Sequence, residues 1–251
     1  MVVAHPDDET IGAGALLPLF QRLLLVHATD GAPRNLADAR AAGFTSATCY
    51  AAARRRELDA ALAMGGARGA DRVELGAADQ GASLRMAGLA RALAALLERH
   101  GARVVLTHPY EGGHPDHDAV AFCVRSAVSL LARGGRGSAP EVVEMAFYHA
   151  GPEGWAVGRF LPRDGPPTAA VALTGEERAR KRAMLDAFAT QAATLAPFPV
   201  GDEVFRPAPD YDFAAAPHAG ALLYERFPWG MDGARWRRLA AEAGRELGLA
   251  G

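Results

Sequence analysis

The sequence predicts an α/β fold, with three α/β/α layers built around a mostly parallel, Rossmann-like twisted sheet. Short apolar, β-prone runs alternate with longer Ala-, Leu- and Arg-rich segments of helical periodicity. Such alternation is typical of right-handed βαβ units whose parallel sheet is covered by helices on both faces. Because open parallel sheets bind ligands beyond the carboxyl ends of their strands, we expect the active site there. No repeat or long linker divides residues 1–251, which predicts a single domain.

The first half of the chain supplies most of the predicted parallel sheet. Ala119, Val120 and Cys123 lie on one helical stripe, and Gly65-Gly66 ends an earlier helix. The predicted strands cover residues 1–4, 23–28, 72–75 and 103–107, and the predicted helices begin near residue 11 and cover 50–64, 84–99 and 117–132.

The second half of the chain is less regular. Thr174 and Glu177 have the spacing of a capping box, which predicts a helix from this point to about residue 191. The Pro-rich stretch 197–217 predicts an ordered loop around a site or a surface covering. Further strands are predicted over 142–149, 169–173 and 221–227, and an amphipathic closing helix over 233–247.

The composition excludes several classes of protein. The 251 residues are 22% charged and 50% hydrophobic, with a formal net charge of -2, so no basic surface is expected to bind nucleic acid. No window holds the roughly 18 unbroken apolar residues of a membrane span, and a charged segment begins at His5, so no signal peptide is predicted. Cys49 and Cys123 cannot build a disulfide framework. We expect a cytoplasmic protein, and a homo-oligomer is compatible with these features.

Two predicted loops concentrate polar side chains at the ends of strands. Residues 4–9, Ala-His-Pro-Asp-Asp-Glu, follow the first strand. Residues 107–117 follow the fourth strand and contain three histidines and two carboxylates. Polar side chains directly after a buried strand are costly unless they have partners or a function. The two loops are therefore the first candidates for a functional site.

The spacing within these loops is suited to metal binding. His5 and Asp8 are three residues apart, as are His114 and His117. Where a strand passes into a helix, this spacing can turn both side chains to one side. Two histidines and one carboxylate with an open coordination position are what a hydrolytic zinc site requires. Imidazole combined with carboxylate favours zinc or another borderline divalent ion over calcium or magnesium.

The adjacent carboxylates Asp7 and Asp8 allow a division of labour. One can bind the metal while its neighbour acts as a general base. The alternative interpretation is structural, since Asp8 or Asp116 could cap the helix that follows. The presence of both loops at the ends of two strands of one sheet favours the metal site.

These residues resemble the signature of the PIG-L/LmbE-like metal-dependent deacetylases. The two specific motifs are residues 4–9 and 113–117. The likeness spans nearly all of the chain and includes Thr29-Asp30-Gly31, Arg54-x-x-Glu57, the helix from Lys181 to Gln191, and Glu225 with Phe227. Members of this family remove acetyl from N-acetylglucosaminyl groups in glycolipids, thiol precursors, chitooligosaccharides and antibiotic intermediates. The resemblance therefore implies a small-molecule amino-sugar conjugate as substrate.

The resemblance also implies a cofactor and roles for the motif residues. One zinc ion would be bound by His5, Asp8 and His117, although such a donor set also accepts ferrous iron and cobalt. Asp7 would be the general base. His114 would stabilise the developing oxyanion or donate a proton.

The remaining implied roles concern support and substrate binding. Asp116 would orient an imidazole, Arg54 would bind a sugar hydroxyl, and Asp30 is a weaker candidate for substrate support. Some members carry a tyrosine two residues before the position of His114. Here that residue is Gly112, so the displaced Tyr110 or the zinc alone would have to polarise the substrate carbonyl.

Two other functions stay open at this point. One is a metallohydrolase of another class, such as an amidase for non-sugar N-acyl substrates; the other is a metal-loaded binding protein without catalysis. A two-metal phosphoesterase would need more bridging carboxylates than the two loops supply. Trp155, Phe160 and Trp229 are compatible with stacking on a sugar face and equally with core or surface cover. His27 is expected to be a satisfied interior histidine, and His108 to line its loop.

Overall fold

A computed structural model of the chain describes residues 1–135, 139–152, 154–163, 165 and 167–249. Within this part, the strands are β1 (Val2–Val3), β2 (Leu24–Thr29), β3 (Asp71–Ala77), β4 (Val104–Thr107), β5 (Glu141–Met145), β6 (Tyr148–Gly151), β7 (Gly154–Val157), β8 (Ala169–Val171) and β9 (Glu203–Pro207). The α-helices are α1 (Asp8–Ala13), α2 (Ala37–Ala41), α3 (Ala47–Met64), α4 (Met86–His100), α5 (Pro115–Gly134), α6 (Gly175–Asp186), α7 (Ala192–Leu195) and α8 (Gly233–Glu246).

The pairings among the first five strands are all parallel, which confirms the predicted α/β class. β2 pairs in parallel with both β1 and β3, and β4 pairs in parallel with β5. β1 lies beside β4, and the Ala4 backbone N–H at the end of β1 donates to His108 Nε2 beyond the end of β4, at 3.1 Å. β9 runs antiparallel between β5 and β8, and β6 with β7 forms an antiparallel hairpin. The carboxyl ends of the first four strands therefore meet at one edge.

Helices cover both faces of the sheet. Successive side chains of a strand point to opposite faces, so neighbouring residues of β1 belong to different cores. Val2 and Val26 pack with the apolar side chains of α4, α5 and α8. Val3 and Leu25 pack instead with those of α3 and α6. This arrangement gives three layers and holds β1, which is only two residues long, from both sides.

The predicted strand over 221–227 is wrong. Leu223–Arg226 form a 3₁₀ turn instead. The Glu225 carboxylate accepts hydrogen bonds from the backbone N–H groups of Leu222, at 3.0 Å, and Gly233, at 2.8 Å. These short-range bonds satisfy N–H groups that a strand would have to pair with a neighbouring strand, so the side chain decides the local conformation.

Two further expectations for the second half need correction. The Pro-rich segment 197–217 contains the strand β9, whose Pro207 lies at the strand end where a missing N–H is tolerated. The predicted strand 142–149 is divided into β5 and β6, because the chain leaves the sheet after Met145 and enters the hairpin. The capping box of Thr174 and Glu177 is present at the start of α6. No helix in the described ranges is long and apolar enough to cross a membrane.

A buried ion cluster fastens the loop after β4 to β5 and β9. Arg206 Nε donates to Glu144 Oε2 at 2.8 Å, and its Nη2 donates to Glu111 Oε1 at 3.0 Å. The Tyr211 hydroxyl donates to Glu144 Oε2 at 2.9 Å, and the Leu161 N–H donates to Glu111 Oε1 at 2.9 Å. One guanidinium therefore serves two buried carboxylates, and Glu111 holds the loop in place.

Burial raises the pKa of Glu144 and of Glu111 to about 7 each, although Arg206 counteracts the shift. A carboxyl whose pKa is higher in the folded state retains a proton that the unfolded chain has already lost. Between the ordinary value of 4.5 and about 7, these two carboxyls therefore hold more protons in the folded protein than in the unfolded chain. Their contribution to the free energy of unfolding falls as pH rises through this window and levels off above it.

We expect Glu144→Gln to remove part of this pH dependence, because glutamine keeps an acceptor for Arg206 and Tyr211 but cannot ionise. Urea denaturation at several pH values measures the effect. Between pH 4.5 and about 7, the wild type should lose of the order of 1–3 kcal/mol relative to the variant. Parallel stability curves for the two proteins would contradict the shifted pKa.

Candidate metal centre

The first loop turns sharply at Asp7, directly before α1. Asp7 has φ 134° and ψ -27°, a backbone conformation that residues other than glycine rarely adopt. Its carbonyl accepts from the N–H groups of Thr10 and Ile11, at 2.9 and 3.0 Å, and its own N–H donates to Glu9 Oε2 at 3.1 Å. Backbone strain of this kind costs about 1–3 kcal/mol and persists only where surrounding bonds enforce it.

Arg54 of α3 supplies the strongest of these bonds. Its Nη2 donates to Asp7 Oδ2 and to the Pro6 carbonyl, both at 2.7 Å, and its Nη1 donates to the Gly31 carbonyl at 2.5 Å. Gly31 has φ 64°, and a Cβ there would lie 2.5 Å from Arg54 Nη1. The glycine after β2 is therefore required for the arginine to reach the loop after β1.

Glu9 supports the same turn from the other side. Its Oε1 accepts from the Thr10 hydroxyl at 2.7 Å, and its Oε2 lies 3.1 Å from His27 Nε2. Both Glu9 and His27 are buried. His27 therefore has a specific interior partner, Glu9, as its isolated position in the sequence predicts.

His114 precedes α5 and caps it. Its Nδ1 accepts a hydrogen bond from the Asp116 backbone N–H at 3.1 Å, and Pro115 begins the helix. An imidazole that accepts at Nδ1 carries its proton on Nε2 when it is neutral. Burial, with a contribution from the nearby His5, lowers the pKa of His114 to about 3. His114 is therefore a neutral imidazole that can donate a hydrogen bond through Nε2.

Three side chains from the two loops converge on one point. His5 Nδ1 lies 3.3 Å from His117 Nε2 and 3.4 Å from Asp8 Oδ2, and His117 Nε2 lies 3.3 Å from Asp8 Oδ1. Ligands at 2.0–2.1 Å from a tetrahedral ion are about 3.3 Å apart, so these separations suit a single zinc-sized ion. All three side chains are buried.

The far side of the His5 ring contacts carboxylates. His5 Nε2 lies 3.2 Å from Asp79 Oδ1 and 3.3 Å from Asp116 Oδ2. Carboxylates at Nε2 favour a proton there, which leaves the Nδ1 lone pair directed towards His117 and Asp8. A carboxylate behind a ligating histidine is the usual arrangement in metal sites, because it fixes the tautomer and the ring orientation.

Other neighbouring groups are less available as ligands. His108 Nε2 lies 3.2 Å from Asp8 Oδ2, but this nitrogen accepts the Ala4 N–H. The Asp116 carboxylate accepts from the backbone N–H groups of Gln80 and Ala82, at 2.6 and 2.9 Å. His108 and Asp116 each belong to an alternative three-residue group, and a third such group combines His114 with His5 and His117. The existing hydrogen bonds of His108 and Asp116, however, would have to break before these two side chains could hold an ion.

The two adjacent carboxylates of the first loop have opposite pKa shifts. Burial raises the pKa of Asp7 to about 8, although Arg54 acts in the opposite direction. Burial also opposes ionisation of Asp8, but the imidazoles of His117, His108 and His5 hold the pKa of Asp8 well below its ordinary range. Asp8 is thus an ionised ligand candidate, whereas Asp7 can exchange a proton.

The structure brings most of the predicted site residues together. His5, Asp7, Asp8, Arg54, His114, Asp116 and His117 form one buried cluster. Asp30 instead bonds to Arg34, at 2.6 Å, and to the Ala32 N–H. Tyr110 turns away from the cluster, since its hydroxyl donates to the Ala215 carbonyl at 3.0 Å and its ring stacks on Trp236. Neither residue is brought to the metal-binding group.

Two residues of the cluster were not predicted from the sequence. Asp79 follows β3 and contacts both His5 and Arg54, whose Nη1 lies 3.6 Å from Asp79 Oδ2. Open parallel sheets bind ligands beyond the carboxyl ends of their strands, and Asp79 lies beyond the end of the third strand, so this signal was present in the sequence. Tyr148 begins β6, and its ring lies edge-on to His117 with a centroid distance of 5.3 Å. Burial and the surrounding carboxylates raise the pKa of its hydroxyl, which stays protonated.

The fold and the site define an α/β protein whose strand ends carry a buried imidazole and carboxylate cluster suited to a divalent metal ion. The chain belongs to the PIG-L family, because residues 1–128 match the family model described as GlcNAc-PI de-N-acetylase. Membership of this family supports an amide-hydrolysing enzyme. No curated protein sequence matches the chain.

Solved structures with the same fold include several deacetylases. The A40926 pseudoaglycone deacetylase Dbv21 is 22% identical, with a TM-score of 0.58 over 82% of this chain and 95% of that one. The zinc-inhibited form of teicoplanin deacetylase Orf2 is 16% identical, with a TM-score of 0.59 over 82% and 96%. The N,N'-diacetylchitobiose deacetylase of Pyrococcus horikoshii is 19% identical, with a TM-score of 0.55 over 78% and 73%. At these identities the likeness establishes the fold.

Gly113 provides a test of how tightly β6 is packed against the second loop. A Cβ at this position would lie 2.0 Å from the Tyr148 carbonyl oxygen, which is backbone and cannot rotate away. We expect Gly113→Ala to lower the free energy of unfolding by about 1–3 kcal/mol or more. Gly88→Ala, in α4 with open space around it, is the matched control and should be neutral or stabilising by up to about 1 kcal/mol. Equal stabilities in thermal denaturation would show that the loop and β6 are not in close contact.

Proposed function

We propose that the protein hydrolyses the acetamido group of an N-acetylglucosamine-type amino-sugar conjugate and releases acetate and a free amine. In this proposal one zinc ion is held by His5, Asp8 and His117, and Asp7 is the general base. The observation that carries the proposal is the convergence of two imidazole nitrogens, 3.3 Å apart, on the Asp8 carboxylate, whose two oxygens lie 3.4 and 3.3 Å from them, beside a fourth group that can exchange a proton.

The donor set fits a metal ion on chemical grounds. Two imidazole lone pairs and a carboxylate directed at one buried point repel each other unless a cation lies between them. Asp79 and Asp116 add further negative charge around that point, which Arg54 offsets only in part. A bound divalent ion supplies Lewis acidity, which lowers the pKa of a water molecule and polarises an amide carbonyl. Ferrous iron and cobalt suit the same donors.

Asp7 is positioned to accept the proton of the attacking water. Arg54 fixes its Oδ2 at 2.7 Å, and the strained backbone turns the residue away from the helix that follows. A divalent cation nearby adds positive charge, which favours the ionised form that a base requires. Once protonated, Asp7 can return the proton to the departing amine, so one carboxyl serves both steps.

His114 is suited to stabilising the oxyanion. It is buried and neutral, and its Nδ1 is already used by the Asp116 N–H, so Nε2–H is the available donor. The hydrogen bond from a preorganised donor of this kind strengthens as negative charge develops on the acetyl oxygen. Of the two roles that the family resemblance implies for His114, hydrogen-bond donation is favoured over proton transfer, because its pKa is about 3.

The supporting residues also receive roles. Asp116 would orient His5, with its two oxygens fixed by backbone N–H groups. Arg54 would position Asp7, because its bonds to Asp7, Pro6 and Gly31 leave Nε as its unpartnered nitrogen. Tyr110 and Asp30 have protein partners, so this proposal gives neither a direct substrate contact.

Acetate release tests the proposed function. The purified protein would be assayed with N-acetylglucosamine glycosides and with an N-acetylated amine that lacks a sugar, each with and without a chelator. We expect acetate release from the glycosides and none from the non-sugar amide, and we expect the chelator to abolish this release. Release from the non-sugar amide alone would identify a metallo-amidase of another class, and stoichiometric metal binding without any release would identify a metal-loaded binding protein.

Asp7→Asn separates the base from the metal ligands. Asparagine keeps an acceptor for Arg54 but cannot take up a proton, so turnover should fall roughly a hundred- to ten-thousand-fold. Metal content, measured by elemental analysis, should stay at the wild-type level. An Asp7→Asn protein with full metal and full activity would refute the assignment of Asp7 as the base.

Removal of a metal ligand should lower the metal content as well as the activity. His5→Ala and Asp8→Asn are expected to lose both metal content and activity. His218→Ala is the histidine control, because its ring bonds only to the neighbouring Ala219 carbonyl in the described structure, and it should retain both. If His5→Ala still binds one equivalent of zinc with wild-type affinity, the proposed ligand set is incorrect.

A further inference from the structure

Four aromatic side chains form a wall beside the metal-binding cluster. We define the aromatic wall as Tyr148 on β6, Trp155 on β7, and Phe227 with Trp229 in the segment before α8. Tyr148 and Trp155 are stacked, with ring centroids 5.1 Å apart and planes at 19°. Phe227 and Trp229 are also stacked, at 4.5 Å and 13°. Trp155 meets the edge of Phe227 at 6.1 Å and 90°, which joins the two pairs.

The hairpin sequence places the first pair on one face. Tyr148 lies opposite Val157, and Trp155 is two residues before Val157 on the partner strand. Residues two apart on a strand share a face, so Tyr148 and Trp155 form a diagonal cross-strand pair. Phe198 is buried behind this pair, with ring centroids at 5.4 Å from Tyr148 and 6.5 Å from Trp155. The core therefore backs this pair of rings.

The aromatic wall begins at the reactive groups and ends at the surface. Tyr148 contacts the His117 ring at 5.3 Å, and Trp229 contacts the His114 ring at 4.7 Å. At the other end, Trp155 is 40% exposed, and it is the one exposed aromatic side chain in the described part of the chain. An apolar path therefore leads outward from the place where the proposed reaction occurs.

We infer that the aromatic wall binds an aromatic ring attached to the anomeric carbon of the amino sugar. This inference rests on the proposed function, and it names the class of conjugate: an aryl glycoside. The anomeric carbon is bonded to the carbon that carries the acetamido group, so a substituent there must leave the site within one sugar ring of the metal-binding cluster. The aromatic wall starts in contact with the rings of His114 and His117, which lies within this reach.

The chemistry of the wall favours an aromatic ring over two alternatives. A second pyranose would bury hydroxyl groups that need partners, and four largely carbon faces supply few. An alkyl chain would gain from burial alone, whereas two stacked pairs set edge to face present the face and edge contacts that an aromatic ring prefers. The family match ends at residue 128, so the wall belongs to a part of the chain that family membership does not describe.

Selectivity among glycosides tests the inference. The kcat/KM for acetate release would be compared for methyl, phenyl and octyl glycosides of N-acetylglucosamine and for a β1,4-linked disaccharide. We expect the phenyl glycoside to be preferred, and the ratio of phenyl to methyl kcat/KM to fall roughly five- to tenfold in Trp155→Ala. Trp155→Phe should retain most of the ratio, since it keeps a ring. Met64→Ala, an exposed apolar control on α3, should leave the ratio unchanged.

A preference for the octyl glycoside or the disaccharide would overturn the inference, as would a Trp155→Ala protein with an unchanged ratio. A second measurement separates this inference from the proposed function. Phenyl β-glucoside has no acetamido group, and its binding can be measured by calorimetry without turnover. Binding that weakens in Trp155→Ala, in a protein that releases no acetate, would retain the aryl subsite and reject the deacetylase. Acetate release without any effect of the Trp155 substitution on binding or selectivity would retain the deacetylase and reject the aryl subsite.

Discussion

The site depends on the burial of several carboxylates at a single edge of the sheet. Asp7, Asp8, Asp79 and Asp116 come from three different loops and meet around two imidazoles. Buried carboxylates repel one another strongly unless they are hydrogen-bonded or paired. Backbone N–H groups satisfy Asp116, and Arg54 compensates Asp7. The negative charge that is left is concentrated where the histidine lone pairs converge, which favours a cation at this point.

Backbone strain at Asp7 follows from the same constraint. In a regular helix start the side chain of Asp7 would turn back to cap the N–H groups of α1, and here it makes no such bond. Instead, a φ of 134° directs it towards Arg54, and the Glu9 carboxylate accepts the backbone N–H of Asp7 itself. The two acids of this turn thus serve different purposes: Asp7 is the candidate proton acceptor, and Glu9 supports the backbone. Arg54 is consequently part of the framework of the turn, which explains why so little of its guanidinium is free.

The sequence predicts the metal-binding cluster better than its surroundings, for a physical reason. His5, Asp8 and His117 lie in short motifs at strand ends, and a parallel sheet brings such ends together regardless of detail elsewhere. Asp79 lies in an irregular turn after β3 without a motif around it, and Tyr148 depends on where the chain leaves β5. Both positions are decided by long-range packing. The incorrect strand at 221–227 has a different, local origin, since its β-prone residues are overridden by the carboxylate of Glu225.

The two halves of the chain therefore differ in what constrains them. The histidines and carboxylates of the cluster come from residues within the family match, 1–128, and their geometry tolerates little change because each carboxylate has several partners. The aromatic wall comes from residues 148–229 and contacts the cluster only through ring faces and edges. Ring contacts are adaptable, and replacing one aromatic residue alters a surface without leaving a buried charge unpaired. In the proposed function, a fold organised in this way keeps its chemistry in one segment and its recognition of the conjugate in another, and the two segments meet at His114 and His117.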